Sequence, residues 1–144
     1  MNKFLVLVML LIGCGTESEE FECPYTREDQ TGEYTVALKE TSGDCGPIGE
    51  ITTDITNGVI YPSENLGCNH PPMSVWYLNS CTNISRFECD DGEWETIMTW
   101  ELQSDLSNPL RITGTLRTDM IRWGGLYTCS SEYSLEAIIE GQEQ

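Results

Sequence analysis

The sequence is poor in basic residues and almost without histidine. Seven Lys and Arg face 24 Asp and Glu in 144 residues, there is one histidine, and the net charge is −17. This balance argues against a nucleic-acid-binding protein, which needs a basic surface, and against docking on anionic lipid head groups. Solubility and repulsion from neighbouring molecules explain such a charge without any partner. The alternative is attraction of cations or of a basic partner.

Recognisable catalytic motifs are absent as well. The single histidine, His70, is not accompanied by a Gly-x-Ser-x-Gly turn, so a Ser-His-Asp triad is not predicted. No cysteines are spaced Cys-x-x-Cys, which argues against a zinc ribbon or a thioredoxin-like redox site. A glycosidase pair needs two acids across a cleft, one with a raised pKa, and no pattern marks one. We therefore expect a non-enzymatic protein without a cofactor, and keep a carboxylate-based hydrolase as the third hypothesis.

The apolar run at the amino terminus is too short to span a bilayer. Phe4 to Ile12 follows Lys3, whereas a spanning helix needs about 20 apolar residues, and the arrangement is typical of a secretory signal peptide. Leu11-Ile12-Gly13-Cys14 resembles the lipobox of bacterial lipoproteins. The resemblance implies cleavage after Gly13 and acyl chains on Cys14 that hold the protein in a membrane. The alternative is an ordinary signal peptide with a chance cysteine near its cleavage site.

This resemblance implies a location and a division of the chain. The lipoprotein would lie in the bacterial cell envelope, and Gly15 after the cysteine indicates outer-membrane sorting as in enteric-type bacteria, facing the periplasm or the exterior. Residues 1–13 are the predicted signal peptide, 14–22 the lipidated terminus with an acidic, extended tether, and 23–144 a single all-β domain. All 24 acidic residues but only six basic ones follow Gly13, so the mature side-chain charge is near −18.

The remaining cysteines form an even set in a chain predicted to enter an oxidising compartment. Three disulfides are therefore expected, although the sequence does not fix how they pair. The spacing of Cys81 and Cys89 suggests that these two close a local hairpin. Cys129 lies in a strand pattern, so its partner should come from a neighbouring strand or from a loop folded over the sheet. The six cysteines are Cys23, Cys45, Cys68, Cys81, Cys89 and Cys129.

Period-two alternation predicts strands with one dry face and one wet face. The last three predicted strands form an antiparallel meander, in which Glu101 and Arg111 are candidates for a cross-strand ion pair. The segment from Ile48 to Ile60 holds one or two strands around Asn57-Gly58, or a short helix, and its Ile and Thr content favours strand. The predicted dry faces are Tyr34, Val36 and Leu38; Trp94, Thr96, Met98, Trp100 and Leu102; Leu110, Ile112, Gly114 and Leu116; and Tyr127, Cys129, Tyr133, Leu135, Ala137 and Ile139.

The predicted fold class is all-β. About seven or eight strands suggest a disulfide-stapled antiparallel β-sandwich or a small β-barrel. Ser42-Gly43-x-Cys45-Gly46 and the Cys-Ser-Ser-x-Tyr of residues 129–133 are similar to small lipoproteins of myxobacteria and their relatives. That resemblance implies a β domain of unassigned function.

One cluster of acids is a candidate cation site. Asp90, Asp91 and Glu93 surround Gly92, and clustered carboxylates suit calcium. The EF-hand spacing fails, however, because Phe87 would stand at the first ligand position. An ordinary hairpin turn is the favoured interpretation, and no metal is expected.

Aromatic residues supply the remaining candidates. Trp76, Tyr77 and Trp123 flank loops and could form a contact patch for a protein partner. Other aromatic residues on the dry faces form either a core or a barrel lumen for a small apolar ligand, as in lipocalin-like folds. The leading functional hypothesis is a membrane-anchored, non-catalytic binding or surface module. The alternative is a lipocalin-like carrier.

Overall fold

The computed structural model describes residues 22–62, 67–69, 71–108, 110–122, 124–125 and 127–139. They form a short 3-10 helix, Arg27–Gln30, and eight strands: β1 (Gly32–Gly43), β2 (Gly49–Thr56), β3 (Val59–Ile60), β4 (Met73–Tyr77), β5 (Thr82–Asp90), β6 (Trp94–Ser104), β7 (Arg111–Arg122) and β8 (Thr128–Ile139). The predicted signal peptide, Cys14 and all but the last residue of the tether lie outside the described residues. In the part that is described, no helix has the length and apolarity needed to cross a membrane.

The strands form one antiparallel sheet that curls into a nearly closed barrel. Its strand order is β3-β2-β1-β8-β7-β6-β5-β4. The all-β, disulfide-stapled prediction is confirmed, and of the two architectures the barrel is the one that forms. The predicted meander is β6, β7 and β8. The pairing of β1 with β8, from Tyr34 opposite Ile139 to Gly43 opposite Ser131, joins the two ends of the described chain.

Alternating burial confirms the predicted faces. In β8, every second residue from Cys129 to Ala137 is buried, and β1 and β6 follow the same rule. These side chains pack into one continuous core inside the barrel. Tyr127 is the exception: it is exposed, because it precedes β8 instead of lying within it.

The middle of the chain forms a hairpin, as the strand interpretation predicted, and no helix. Asn57 and Gly58 connect β2 to β3 with φ of 50° and 71°, the left-handed conformation that a two-residue hairpin turn requires. The Nδ2 of Asn83 on β5 donates a buried hydrogen bond to the carbonyl of Gly58. The Nε2 of Gln30 donates another to Ser104 Oγ at 2.6 Å. The first bond bridges the gap between the sheet edges at β3 and β4–β5, and the second ties the 3-10 helix to the end of β6.

All six cysteines pair, but not in the predicted local loop. The bridges are Cys23–Cys81, Cys45–Cys129 and Cys68–Cys89. The pairing of Cys81 with Cys89 was wrong because the segment between them is an extended strand, β5, not a turn. Eight residues of strand span about 26 Å, far more than a disulfide can bridge. The prediction for Cys129 is confirmed, since Cys45 lies in the loop that follows β1.

The predicted Glu101–Arg111 pair is also wrong. The register places Glu101 opposite Thr115. Arg111 instead donates from Nη2 to Glu136 Oε1 at 2.9 Å, between exposed side chains. Such surface pairs contribute little to stability, about 0–1 kcal/mol.

The barrel has two ends, which position everything that follows. The entry end, where β1 begins, is formed by residues 23–31 and by the turns at 57–58, 78–81 and 105–108. The far end, where β1 finishes, is formed by residues 44–48, 67–69, 91–93 and 124–125. The chain therefore enters the domain at one end, where Cys23 is bonded to Cys81, and the other two disulfides lie at the opposite end.

Candidate functional site

A groove of about 520 Å³ opens on the outer surface of β5, β6 and β7 at the far end. Its apolar lining includes Ile97 and Ile121, and residues 67–69 form one side. That side is held to the barrel because Cys68 forms both a β-bridge and a disulfide with Cys89. The groove is therefore attached to the sheet covalently as well as by packing.

Acidic side chains border the groove, and none of the described residues that line it is basic. The sheet register collects them from three strands. Glu95 on β6 lies opposite Asp90 on β5 and opposite Ile121 on β7. The four carboxylates of the lining are Glu88, Asp90, Glu95 and Asp119.

Two of these carboxylates have arginine partners just outside the groove. Arg86 lies 3.2 Å from Glu88, and Arg117 lies 3.4 Å from Asp119. All four side chains are well exposed, so solvent screens these pairs strongly. The groove keeps a negative balance around an aliphatic floor. This combination suits a lysine or arginine side chain, which has an apolar stem and a cationic head.

A smaller groove of about 360 Å³ lies on the other side of β7 and shares Asp119 and Ile121 with the first. Asp119 Oδ1 accepts a hydrogen bond from Ser130 Oγ at 2.6 Å. Asp44 Oδ1 accepts one from the backbone N–H of Ser130 at 3.0 Å. The acidic surface of the far end thus continues from β5 across to the start of β8.

The predicted calcium candidates lie in or beside the β5–β6 turn, and two of them, Asp90 and Asp91, stabilise it. Asp90 Oδ1 accepts the backbone N–H of Gly92 at 2.8 Å, and Asp91 Oδ1 accepts that of Trp94 at 2.7 Å. The N–H groups of Trp94 and then Glu93 hold the pKa of the exposed Asp91 carboxyl below its usual value. Glu93 points elsewhere and pairs with Arg122 at 2.7 Å. These contacts are those of an ordinary hairpin turn.

Among the described residues, one group of ligand-type side chains converges closely enough to hold a metal. It consists of Asp44, Cys45 and Cys129. Both cysteines are consumed in their mutual disulfide, so neither offers a thiolate. This group is therefore a covalent crosslink beside a carboxylate.

The fold separates the two described members of the predicted aromatic patch. Trp76 and Tyr77 lie on β4 and point to opposite sides of the sheet, with Trp76 half-buried and Tyr77 exposed. Trp123 and the lone histidine, His70, lie outside the described residues. Of the two described members, Tyr77 is the one that lies on the outer surface.

Three buried polar atoms have no hydrogen-bond partner among the described residues: the acceptor Gln30 Oε1 on the 3-10 helix, and two donors inside the barrel. The donors are Tyr34 Oη and Trp100 Nε1, on side chains that are almost fully buried. Burial raises the pKa of the Tyr34 phenol, so it stays protonated at ordinary pH. Each is a donor that a polar ligand group could satisfy. The surrounding side chains nonetheless pack into a continuous core.

Sequence reasoning missed the far-end groove. Alternation had already placed Glu95 on a polar face, but it could not show that Ile97 and Ile121 lie beside it. Ile121 is 26 positions along the chain from Glu95, and only the register of β6 with β7 makes them neighbours. The sequence signal that could have revealed the groove was the presence of Ile97 and Ile121 among the otherwise polar outward-facing residues of β6 and β7.

Comparison with known proteins identifies no relative. No family model, no curated protein and no solved structure matches the chain.

Proposed function

We propose that the protein is a lipid-anchored module of the bacterial envelope that binds a partner without catalysis. The binding surface in this proposal is the far-end groove, and its occupant is a basic segment of another protein. The observation that carries the proposal is the aliphatic, acid-bordered groove at the barrel end opposite to the point where the chain enters. The lipobox of residues 11–14 supports the anchor.

The test is capture of partners from detergent-solubilised envelopes with the lipidated protein and with a Glu95→Lys variant. Charge reversal at the groove is expected to weaken the binding of a basic partner by about tenfold, or about 1.4 kcal/mol. The captured protein should also dissociate as salt rises, because exposed charge pairs are screened. Quantitative mass spectrometry of the eluted proteins measures both effects.

Glu33→Lys is the matched control. Glu33 is an exposed acid on β1 that lies opposite Asp54, as Glu95 lies opposite Asp90, but it does not line the groove. A partner that binds the groove is still captured by the Glu33→Lys variant and is no longer captured by the Glu95→Lys variant. Equal loss in both variants would mean that net charge, not the groove, does the binding.

A second candidate is the carrier of a small apolar ligand. Two observations favour it: the nearly closed eight-stranded barrel, and the unpartnered donors of Tyr34 and Trp100 inside it. On this hypothesis a small molecule co-purifies with the protein, and native mass spectrometry detects it as added mass. Tyr34→Phe removes only the hydroxyl and should lower the occupied fraction. If the added mass is missing and Tyr34→Phe raises stability, by about 1 kcal/mol for removing a buried unsatisfied donor, the carrier hypothesis fails.

A further inference from the structure

Large apolar side chains are exposed at the entry end of the barrel, as others are at the far end. Tyr77, Leu78 and Leu106 are 44%, 53% and 53% exposed, and we call them the entry-end rim. They come from two different turns, at the ends of β4 and β6. What distinguishes this end from the other is the attachment of the incoming chain to it.

The segment that leads into the domain is fastened to both turns of the rim. The backbone N–H of Cys23 donates to the carbonyl of Leu78 at 2.6 Å, and Cys23 is disulfide-bonded to Cys81 in the same turn. The hydroxyl of Tyr25 donates to the carbonyl of Leu106 at 2.7 Å. The point at which the chain enters the domain therefore lies beside the rim and is held there covalently.

The length of chain before that point limits how far the rim can lie from the membrane. Cys14, the predicted lipidated residue, precedes Cys23 by nine residues. Even fully extended, nine residues span roughly 30 Å, less than the roughly 40 Å of a 12-residue strand such as β1. Acyl chains on Cys14 would thus keep the entry end near the bilayer and favour its facing the lipid.

Charges around the rim indicate which lipids suit it. Glu22, Glu28 and Asp29 are exposed at the entry end, and Asp105 immediately precedes Leu106. The hydroxyl and backbone N–H of Ser107 hold the pKa of Asp105 below its usual value, so this carboxylate stays charged at the pH of the envelope. These acids oppose contact with anionic head groups and leave net-neutral ones as the compatible surface.

We infer that the entry-end rim rests on the membrane to which the chain is anchored, with Leu78 and Leu106 in the head-group region of net-neutral lipids. The inference rests on the proposed lipid anchor. The two leucines and the tyrosine add apolar contact to the acyl anchor. This orientation turns the far-end groove away from the bilayer and leaves it open to other molecules.

The experiment uses the full lipidated protein in phosphatidylcholine nanodiscs and a photocrosslinking residue. Leu78→p-benzoylphenylalanine and Leu106→p-benzoylphenylalanine should crosslink to lipid about tenfold more than the same change at Ile48 or Ile121, because only the first pair reaches the head groups. The control positions are 44% and 45% exposed, close to the rim residues, but lie at the far end. Mass spectrometry of the crosslinked species gives the yields.

A depth series along β4 strengthens the test. Tyr77, Val75 and Met73 all point outward from one strand, and each step of two residues moves about 7 Å away from the entry end. With the photocrosslinking residue placed at each position in turn, the yield of lipid crosslinks should decrease in the order Tyr77, Val75, Met73. At all three positions the yield should also decrease when phosphatidylglycerol replaces part of the phosphatidylcholine. Equal yields from both barrel ends, or crosslinks from residues 78 and 106 to a second copy of the chain, would overturn the inference.

Failure of the anchor is recognised separately. Membrane fractionation compares the wild-type chain with Cys14→Ala, and intact mass shows whether acyl groups are attached. An unacylated wild-type protein refutes the anchor in the proposed function. An acylated protein whose rim does not crosslink to lipid refutes only the orientation inferred here.

Discussion

Replacing Cys45 and Cys129 together by alanine is expected to lower the free energy of unfolding by about 4 kcal/mol. This disulfide joins residues 84 positions apart, the longest separation of the three bridges. A crosslink restricts the unfolded chain more when it closes a longer loop. Urea unfolding followed by circular dichroism and tryptophan fluorescence measures the loss.

The matched control is the double alanine variant of Cys68 and Cys89. These residues are 21 positions apart, so the same argument gives a loss smaller by about 1 kcal/mol. If removing this shorter bridge costs more than removing Cys45–Cys129, loop closure is not what the disulfides chiefly supply. Packing of the 67–69 segment against the sheet would then be the larger contribution.

The position of the longest bridge matters for the barrel. Cys45 follows β1 and Cys129 is the second residue of β8, and the residues that pair between these two strands are 88 to 105 positions apart along the chain. Non-local pairing of this kind is the slowest and most costly closure that the fold requires. The Cys45–Cys129 bridge fixes one end of that pairing, next to Gly43 opposite Ser131.

Local patterns were enough to predict most strands. In β6, the alternation of Trp100 and Leu102 with Glu101 indicates which face of the strand is buried, because each strand residue points opposite to its neighbour. The pair Asn57-Gly58 likewise predicts a hairpin, since few residue pairs tolerate the positive φ that the turn needs. Such features depend on residues within a few positions of each other.

Features that depend on distant pairing could not be predicted from those patterns. The pairing of β1 with β8 makes the sheet a barrel and not a sandwich, and no short sequence pattern predicts that pairing. The disulfide pairing failed for the same reason: a separation of eight positions between Cys81 and Cys89 fits either a hairpin or one strand.

β4 shows where the one-dry-face rule breaks down. Met73, Val75 and Tyr77 are exposed, while Trp76 points inward and is half-buried. The strand is apolar on both sides, so alternation of apolar and polar residues cannot assign its faces. It lies at the edge of the sheet, so it pairs with β5 and has no second neighbouring strand among the described elements. This is why the Trp76–Tyr77 pair could be proposed as one patch from sequence and yet is split by the fold.

Gly114→Ala is expected to destabilise the protein by about 3 kcal/mol. Gly114 lies inside β7 opposite Leu102 of β6. A Cβ built on Gly114 would collide with the carbonyl oxygen of Glu101 and press on the backbone of Leu102. Glycine within a strand commonly marks such a close backbone approach. No rotamer change can relieve the contact, because the obstructing atoms are backbone atoms held in the β6–β7 ladder.

Thr113→Ala is the control, because Thr113 is the exposed neighbour of Gly114 on the outer face of the same strand. It tests the loss of strand propensity without the collision, and its expected cost is below about 1 kcal/mol. Thermal and urea unfolding of both variants give the comparison. Similar stabilities would mean that β6 and β7 can separate locally at little cost. A large difference would identify Gly114 as the position where the two strands must approach closely for the sheet to curl, which the sequence showed only as one more small residue on a dry face.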